Sequence, residues 1–222
     1  MLPFTRDQFF AVFAAYNAAI WPVQTAAYLA ATAALVLAWR GGPFAGRAVP
    51  AILAAMWLWT GVAYHLFHFT AINPAARLFG AAFILQGLLF LAATVGGRAL
   101  AFWPMSGGWR RGFGLFLAFY AAVLYPLLGR LAGHPWPELP AFGVTPCPVT
   151  IFTFGVLLLA TGRVPAWLLA VPILWAVIGG SAALLLGVPQ DWMLLLGGLA
   201  AAVALLRSPR DPPIFPAGPR PA

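Results

Sequence analysis

The sequence has no lysine, a single cysteine, three histidines and only four acidic residues in 222. Each scarcity excludes something. One cysteine, Cys147, rules out an internal disulfide, and no CxxC or zinc-ribbon spacing is present. Charged residues make up 7% of the chain, against about a quarter in soluble domains. Sixteen charged side chains cannot coat a soluble globule of this length, so lipid must cover most of the surface. The twelve basic residues are all arginine and give a net charge of +8. A basic stripe would suit nucleic acid, but these arginines are scattered between apolar segments. They read as topology signals, with no nucleic-acid partner. The bias toward Ala, Gly, Pro and Arg points to a GC-rich bacterial genome. The start, Met1 to Asp7, has no basic stretch leading directly into a short apolar run and a small-residue cleavage site. The expectation is therefore no cleavable signal peptide, with the first span directing insertion.

What is abundant is hydrophobic sequence, 63% of the chain. A membrane span needs roughly 20 mostly apolar residues. Seven segments meet or approach that length, at 20–39, 48–68, 74–95, 112–131, 146–161, 164–186 and 189–206. The pattern predicts an all-α, polytopic helical bundle of about seven transmembrane helices in a bacterial inner (cytoplasmic) membrane. Residues 1–207 form one domain whose main partner is the lipid bilayer. Ahead of the first span, 5–17 reads as a short interfacial helix, with Thr5 as N-cap and Asp7 in the first turn. Phe9, Phe10, Phe13 and Tyr16 recur on it at helical spacing. The alternative is that it extends the first span and that Trp21-Pro22 marks a kink. Residues 208–222 read as a Pro-rich cytoplasmic tail. Gly108-x-x-x-Gly112 and the glycine pairs at 179–180 and 197–198 offer small faces for close packing within the chain or in a homo- or hetero-oligomer.

Arginine also orients the bundle. Arg40, Arg47, Arg98, Arg110, Arg111, Arg163, Arg207, Arg210 and Arg220 fall on one side, and Arg6, Arg77 and Arg130 on the other. This asymmetry predicts a cytoplasmic C-terminus and an external N-terminus, which requires an odd number of spans. Asp7, Glu138 and Asp191 share the outer side, so it is neutral. Every acid is expected to lie outside the spans, which weakens a proton-driven pump.

The groups capable of chemistry gather toward that outer side. His65 and His68 lie at the end of the second span, His134 lies in the loop after the fourth, and Cys147 opens the fifth. The stretch 132–148 carries Pro135, Pro137, Pro140, Pro146 and Pro148 among aromatic and small residues. It reads as a rigid apolar loop packed over or into the bundle mouth, since non-helical backbone at that depth needs a protein cover. Thr145 is the expected N-cap of the fifth span and Pro146 its first residue. Cys147 then sits where a helix dipole favours a thiolate.

Several readings follow. Cys147 and His134 are the residue types of a nucleophile and its base, as in an intramembrane hydrolase or acyltransferase. His65, His68, His134 and Cys147 are ligands suited to zinc or copper. Gln86 in mid-span and Arg77 near the outer end of the third span need partners in a bundle. With Asn73, Gln24, Thr150, Thr153 and Ser181 they outline a polar path for a small solute. The plainer readings are a packed hydrophobic cysteine, interfacial histidines, one interhelical Gln86 hydrogen bond and a snorkelling Arg77. A membrane subunit or assembly factor with no chemistry of its own also fits. Small-solute binding or transport ranks first. Its site is a polar pocket under the 132–148 loop, formed by His65, Asn73, His134, Thr145, Cys147 and Gln86.

The blocks Pro3-Phe-Thr-Arg-Asp-Gln-Phe-Phe, Tyr16-Asn17, Ile20-Trp-Pro, Tyr64-His65, Ile72-Asn-Pro-Ala-Ala with Phe79-Gly80 and Gln86, Gly133-His-Pro, Phe142-Gly-Val-Thr-Pro-Cys-Pro and Trp175 through Ala182 carry a resemblance. The chain resembles the uncharacterised bacterial integral-membrane family called domain of unknown function 6064. The resemblance implies a multi-span inner-membrane protein, sometimes given permease-like names, with no assigned activity. It implies a less fixed position at His68, which leaves His65, His134 and Cys147 as the metal-ligand trio.

Overall fold

The computed structural model describes residues 3–95, 100–102 and 108–207. Arg98 and the 208–222 segment, with Arg210 and Arg220, lie outside them. Secondary structure in the described residues is helical apart from an isolated bridge between Ala101 and Thr161. The first helix, α1 (Arg6–Ala19), begins as the sequence predicts. The Thr5 hydroxyl accepts from Gln8 N and the Gln8 side chain accepts from Thr5 N, a reciprocal capping box. At Trp21-Pro22 the chain turns by 86° into α2 (Val23–Arg40). Thus α1 is a separate helix and not the top of a straight span.

Helix α3 (Pro43–Ala71) opens on a proline, which suits a first turn. It widens into a π-helical turn at Thr60–Leu66. Helix α4 (Ala76–Val95) follows a tight turn in which Asn73 Oδ1 accepts from Ala75 N. Helix α5 (Trp109–Leu131) widens at Tyr120–Leu124. Pro126, just beyond, has no N–H for the carbonyl four residues back. The Tyr28 hydroxyl of α2 donates to that Ala122 carbonyl instead, at 2.8 Å.

Next come α6 (Pro146–Leu158), α7 (Ala166–Leu186) and α8 (Pro189–Leu206). Helix α7 stops at Gly187, whose φ of +65° is left-handed. Five helices, α3, α4, α5, α7 and α8, are long and apolar enough to cross a membrane, and the bent α1–α2 pair adds a sixth where it is counted as one span. Helix α6 has 13 residues. That is about 20 Å of rise, short of the roughly 30 Å hydrocarbon thickness.

Helix α6 is the centre of the bundle. All its residues except Cys147 are buried, as expected of a helix apolar on every face. It crosses α5 backbone to backbone. A Cβ on Gly155 would lie 2.7 Å from the Gly114 carbonyl oxygen and 2.8 Å from Ala118 N. Gly61 and Gly80 bring α3 and α4 together in the same way. The pairs at 179–180 and 197–198 do pack closely, against Leu194, Leu195, Leu117 and Phe154 among others. For Gly108 and Gly112, nothing among the described residues lies near the position of a Cβ on either.

The outside is apolar and the inside holds the polar groups. Leu29, Phe44, Phe67, Leu78, Val95 and Leu185 are exposed, while Asn17, Thr60, His65, Gln86, Gln190 and Asp191 are buried. Water would penalise that distribution and lipid would not. The two ends of the bundle also differ. One gathers Gly42, Leu100–Phe102 and Thr161 through backbone hydrogen bonds, with Arg111 over the Trp39 ring. The other is covered by α1 and the proline-rich loop, and it holds the candidate site.

Candidate functional site

Helix α1 lies across the bundle end because its polar residues satisfy a loop that cannot satisfy itself. The loop is half-buried at Pro137 and Leu139 and buried from Pro140 to Thr145. Its carbonyls need donors, because a buried unpaired carbonyl is costly. Tyr16 OH donates to Val144 O at 2.7 Å, and Asn17 Nδ2 donates to Pro137 O and Leu139 O at 2.7 and 2.8 Å. Trp59 Nε1 in turn donates to the Tyr16 oxygen. Gly143, at φ +76°, presses on Ala27 of α2, where a Cβ would come within 2.7 Å of the Ala27 Cβ. The loop is therefore covered by protein, as its prolines and small residues suggest.

With its polar residues bound to the loop, α1 turns Phe9 and Phe13 inward over a cavity of about 210 Å³. Phe4, Phe69 and Phe79 add to an aromatic wall, with Tyr64 and Trp175. Ile178, Leu185 and Leu186 supply the α7 side. Ser181 and Leu185 are exposed residues of this lining, so the cavity opens between α1 and the apolar face of α7. Its lining is predominantly aromatic and aliphatic, not the polar lining that the sequence suggests.

The polar groups cluster at one place. Asp191 is 4% exposed and its Oδ1 accepts from Tyr125 OH at 2.6 Å. Cys147 sits among Asp191, Trp175 and Tyr125. It is the one residue of α6 that is not buried, because it faces the cavity. Trp175 Nε1 is buried beside the Cys147 thiol. Asn73 and Ser181 complete the polar lining. Asp191 corrects the expectation that every acid lies outside the spans. It occupies the 3₁₀ turn Pro189–Asp191 that starts α8, and Tyr120 OH holds the same turn through Gln190 O at 2.8 Å.

The three expected metal ligands are not brought together. Among the described residues no group of three His, Cys, Asp or Glu side chains is placed to hold a metal ion. His65 is fully buried, and neither ring nitrogen has a hydrogen-bond partner. It is packed among Tyr64, Phe83 and Trp175, with ring centroids 4.8–5.3 Å away. His134 belongs to a different group. Its ring stacks on Phe10 at 3.4 Å, Arg6 approaches Nε2 at 3.1 Å, and Glu138 lies 3.7 Å from Nδ1. The partners of Cys147 are Asp191, Trp175 and Tyr125, so a Cys147–His134 nucleophile and base pair is not assembled. His68 bonds the Ala63 carbonyl.

The remaining expected residues separate in the same way. Asn73 lines the cavity. Thr145 is the extended N-cap of α6, but its hydroxyl donates back to Ala141 O and caps nothing. Gln86 donates to Leu168 O across the bundle, and Arg77 is exposed. Gln24, Thr150, Thr153 and Ser181 each donate to a nearby backbone carbonyl. A continuous polar path does not form from them. Sequence reasoning missed Asp191, Tyr125, Trp175 and the phenylalanines of the wall. Only Asp191 carried a signal, as an acid two residues after Pro189 at the head of an apolar run.

A family model described as "Family of unknown function (DUF6064)" matches residues 6–214. No curated protein matches the chain, and no solved structure does. The match covers nearly the whole sequence, so the chain belongs to that family.

Proposed function

For this member of a family of unknown function, we propose a multi-span membrane protein that binds a small, largely apolar solute in the α1-covered cavity. The single observation that carries this reading is the position of Cys147. It is the one accessible residue on an otherwise buried central helix, and it faces a cavity of about 210 Å³. That exceeds the roughly 150 Å³ of an apolar cavity known to take up benzene. Apolar walls with a few convergent polar groups are the usual form of a small-molecule site. The polar side chains expected to line a conduit are bound to backbone carbonyls, so binding is better supported than passage.

The same reading has seven crossings, an external N-terminus, a cytoplasmic tail and a place in a bacterial inner membrane. Helix α6 counts as the fifth crossing with its flanks. Its N-terminus adjoins Val144, held by Tyr16, and the chain beyond it reaches Thr161 beside Ala101 at the arginine-rich end. The arginine asymmetry sets the direction. Reporter fusions to each terminus test it, and two termini on one side of the membrane would overturn it.

Cys147 is the only cysteine, so labelling reads the cavity directly. N-ethylmaleimide, small and uncharged, is expected to modify the folded protein at pH 8. A bulky charged maleimide is expected to react far more slowly. Ala182→Trp, which fills the cavity from α7, should slow both. A thiol that reacts only after denaturation would overturn the reading.

A further inference from the structure

The cavity has an acid and no base. Among the described residues, the one ion pair within 4.0 Å is His134 with Glu138. Asp191 has donors, Tyr125 and the neighbouring Cys147, but among the described residues no ion-paired cation. The one arginine of the covering helix, Arg6, lies beside the Gly187 turn, where its guanidinium reaches His134 and stands over the Phe10 ring. A carboxylate removed from water is costly without a counter-charge, and neutral donors offset only part of that cost. The rest of the lining is suited to positive charge. Phe9, Phe13, Tyr64, Phe69 and Trp175 surround the space, and aromatic faces attract cations. An anion would meet a carboxylate and ring faces, both repulsive. A bare metal ion would find no group of ligands.

We infer that this cavity takes a lipophilic organic cation, a compact ammonium on an aromatic or short aliphatic body. The ammonium lies toward Asp191 and the body among the phenyl rings. The mouth beside Ser181 and Leu185 opens onto exposed apolar surface of α7, the route an amphiphile would take from lipid. The inference rests on the cavity being a binding site, and it adds the charge and class of the ligand.

The test compares two molecules of one shape. Benzyltrimethylammonium and neopentylbenzene differ only in nitrogen against carbon at the quaternary centre. Equilibrium binding of each radiolabelled compound is measured on the full-length protein in lipid nanodiscs, corrected for partition into empty discs. The expected result is binding of the cation at least about tenfold tighter than of its neutral isostere, a difference of about 1.4 kcal/mol. Asp191→Asn should remove most of that preference while retaining neopentylbenzene binding, which shows the cavity intact. Equal or tighter binding of neopentylbenzene by the unaltered protein overturns the inference and leaves the proposed binding site standing. Binding of neither compound overturns both. If Asp191→Asn fails to fold, phenylacetate on the unaltered protein gives the second comparison. It should not bind, and an affinity matching that of the cation would sink the charge selection.

Discussion

The two ends of this bundle are closed by different means. At the arginine-rich end the backbone closes on itself. Gly42 N donates to Phe102 O at 2.8 Å and Thr161 N to Ala101 O at 2.7 Å. At the other end, closure depends on side chains of one short helix. Tyr16 and Asn17 supply donors to a loop that has no regular hydrogen bonding of its own. Side-chain closure from above leaves a gap between helix and floor, and that gap is the cavity. Helix α1 is thus a roof held at a few polar points, with Phe9 and Phe13 beneath it.

The comparison can be broken most severely at the crossing on which both ends depend. Gly155→Ala places a methyl against backbone atoms of α5 at 2.7 and 2.8 Å, and backbone cannot move aside as a side chain can. A loss of about 3 kcal/mol is expected, seen as a lowered melting temperature in detergent together with loosening at both ends. Asn17→Ala should affect one end only. It strips the donor from two loop carbonyls, and a loss of about 2–3 kcal/mol is expected, with faster Cys147 labelling. Unchanged labelling would mean that α1 is not the roof.

Smaller changes sharpen the contrast. Thr5→Ala removes the cap of α1 and should cost about 1 kcal/mol, with a modest rise in Cys147 reactivity. Arg111→Gln at the opposite end removes a cation from 3.4 Å above the Trp39 ring. It should cost about 0.5–1 kcal/mol and leave Cys147 reactivity as it was. An increase in labelling from Arg111→Gln would show that the ends are coupled and that the distinction between them fails.

Local features were legible because short-range rules fix them. Thr5 with Gln8, Pro146 at a helix start and the break at Trp21-Pro22 depend only on neighbours along the chain. The apolar lengths gave six of the seven expected segments, counting the bent pair as one. The shortest, 146–161, became a 13-residue helix buried on nearly every face. The site was less legible. Of the residues expected at the site, Cys147 and Asn73 line the cavity. His134 was assigned to the cavity on its loop position, but the loop carries it to Arg6, Glu138 and Phe10. His65 is near the site, enclosed by rings behind Trp175.

By itself the sequence determined a helical chain with too little charge for water, where most of its helices start and stop, and a proline-rich loop that must be covered. Those follow from hydrogen bonds and apolar lengths within some twenty consecutive residues. Only the tertiary structure decided which polar groups meet. Cys147 and Asp191 lie 44 positions apart, on helices whose relative rotation and depth are set by glycine crossings and by α1 bound to the loop. A polar residue on an apolar helix declares that it needs a partner, but the partner is chosen by packing between helices, which no local pattern records.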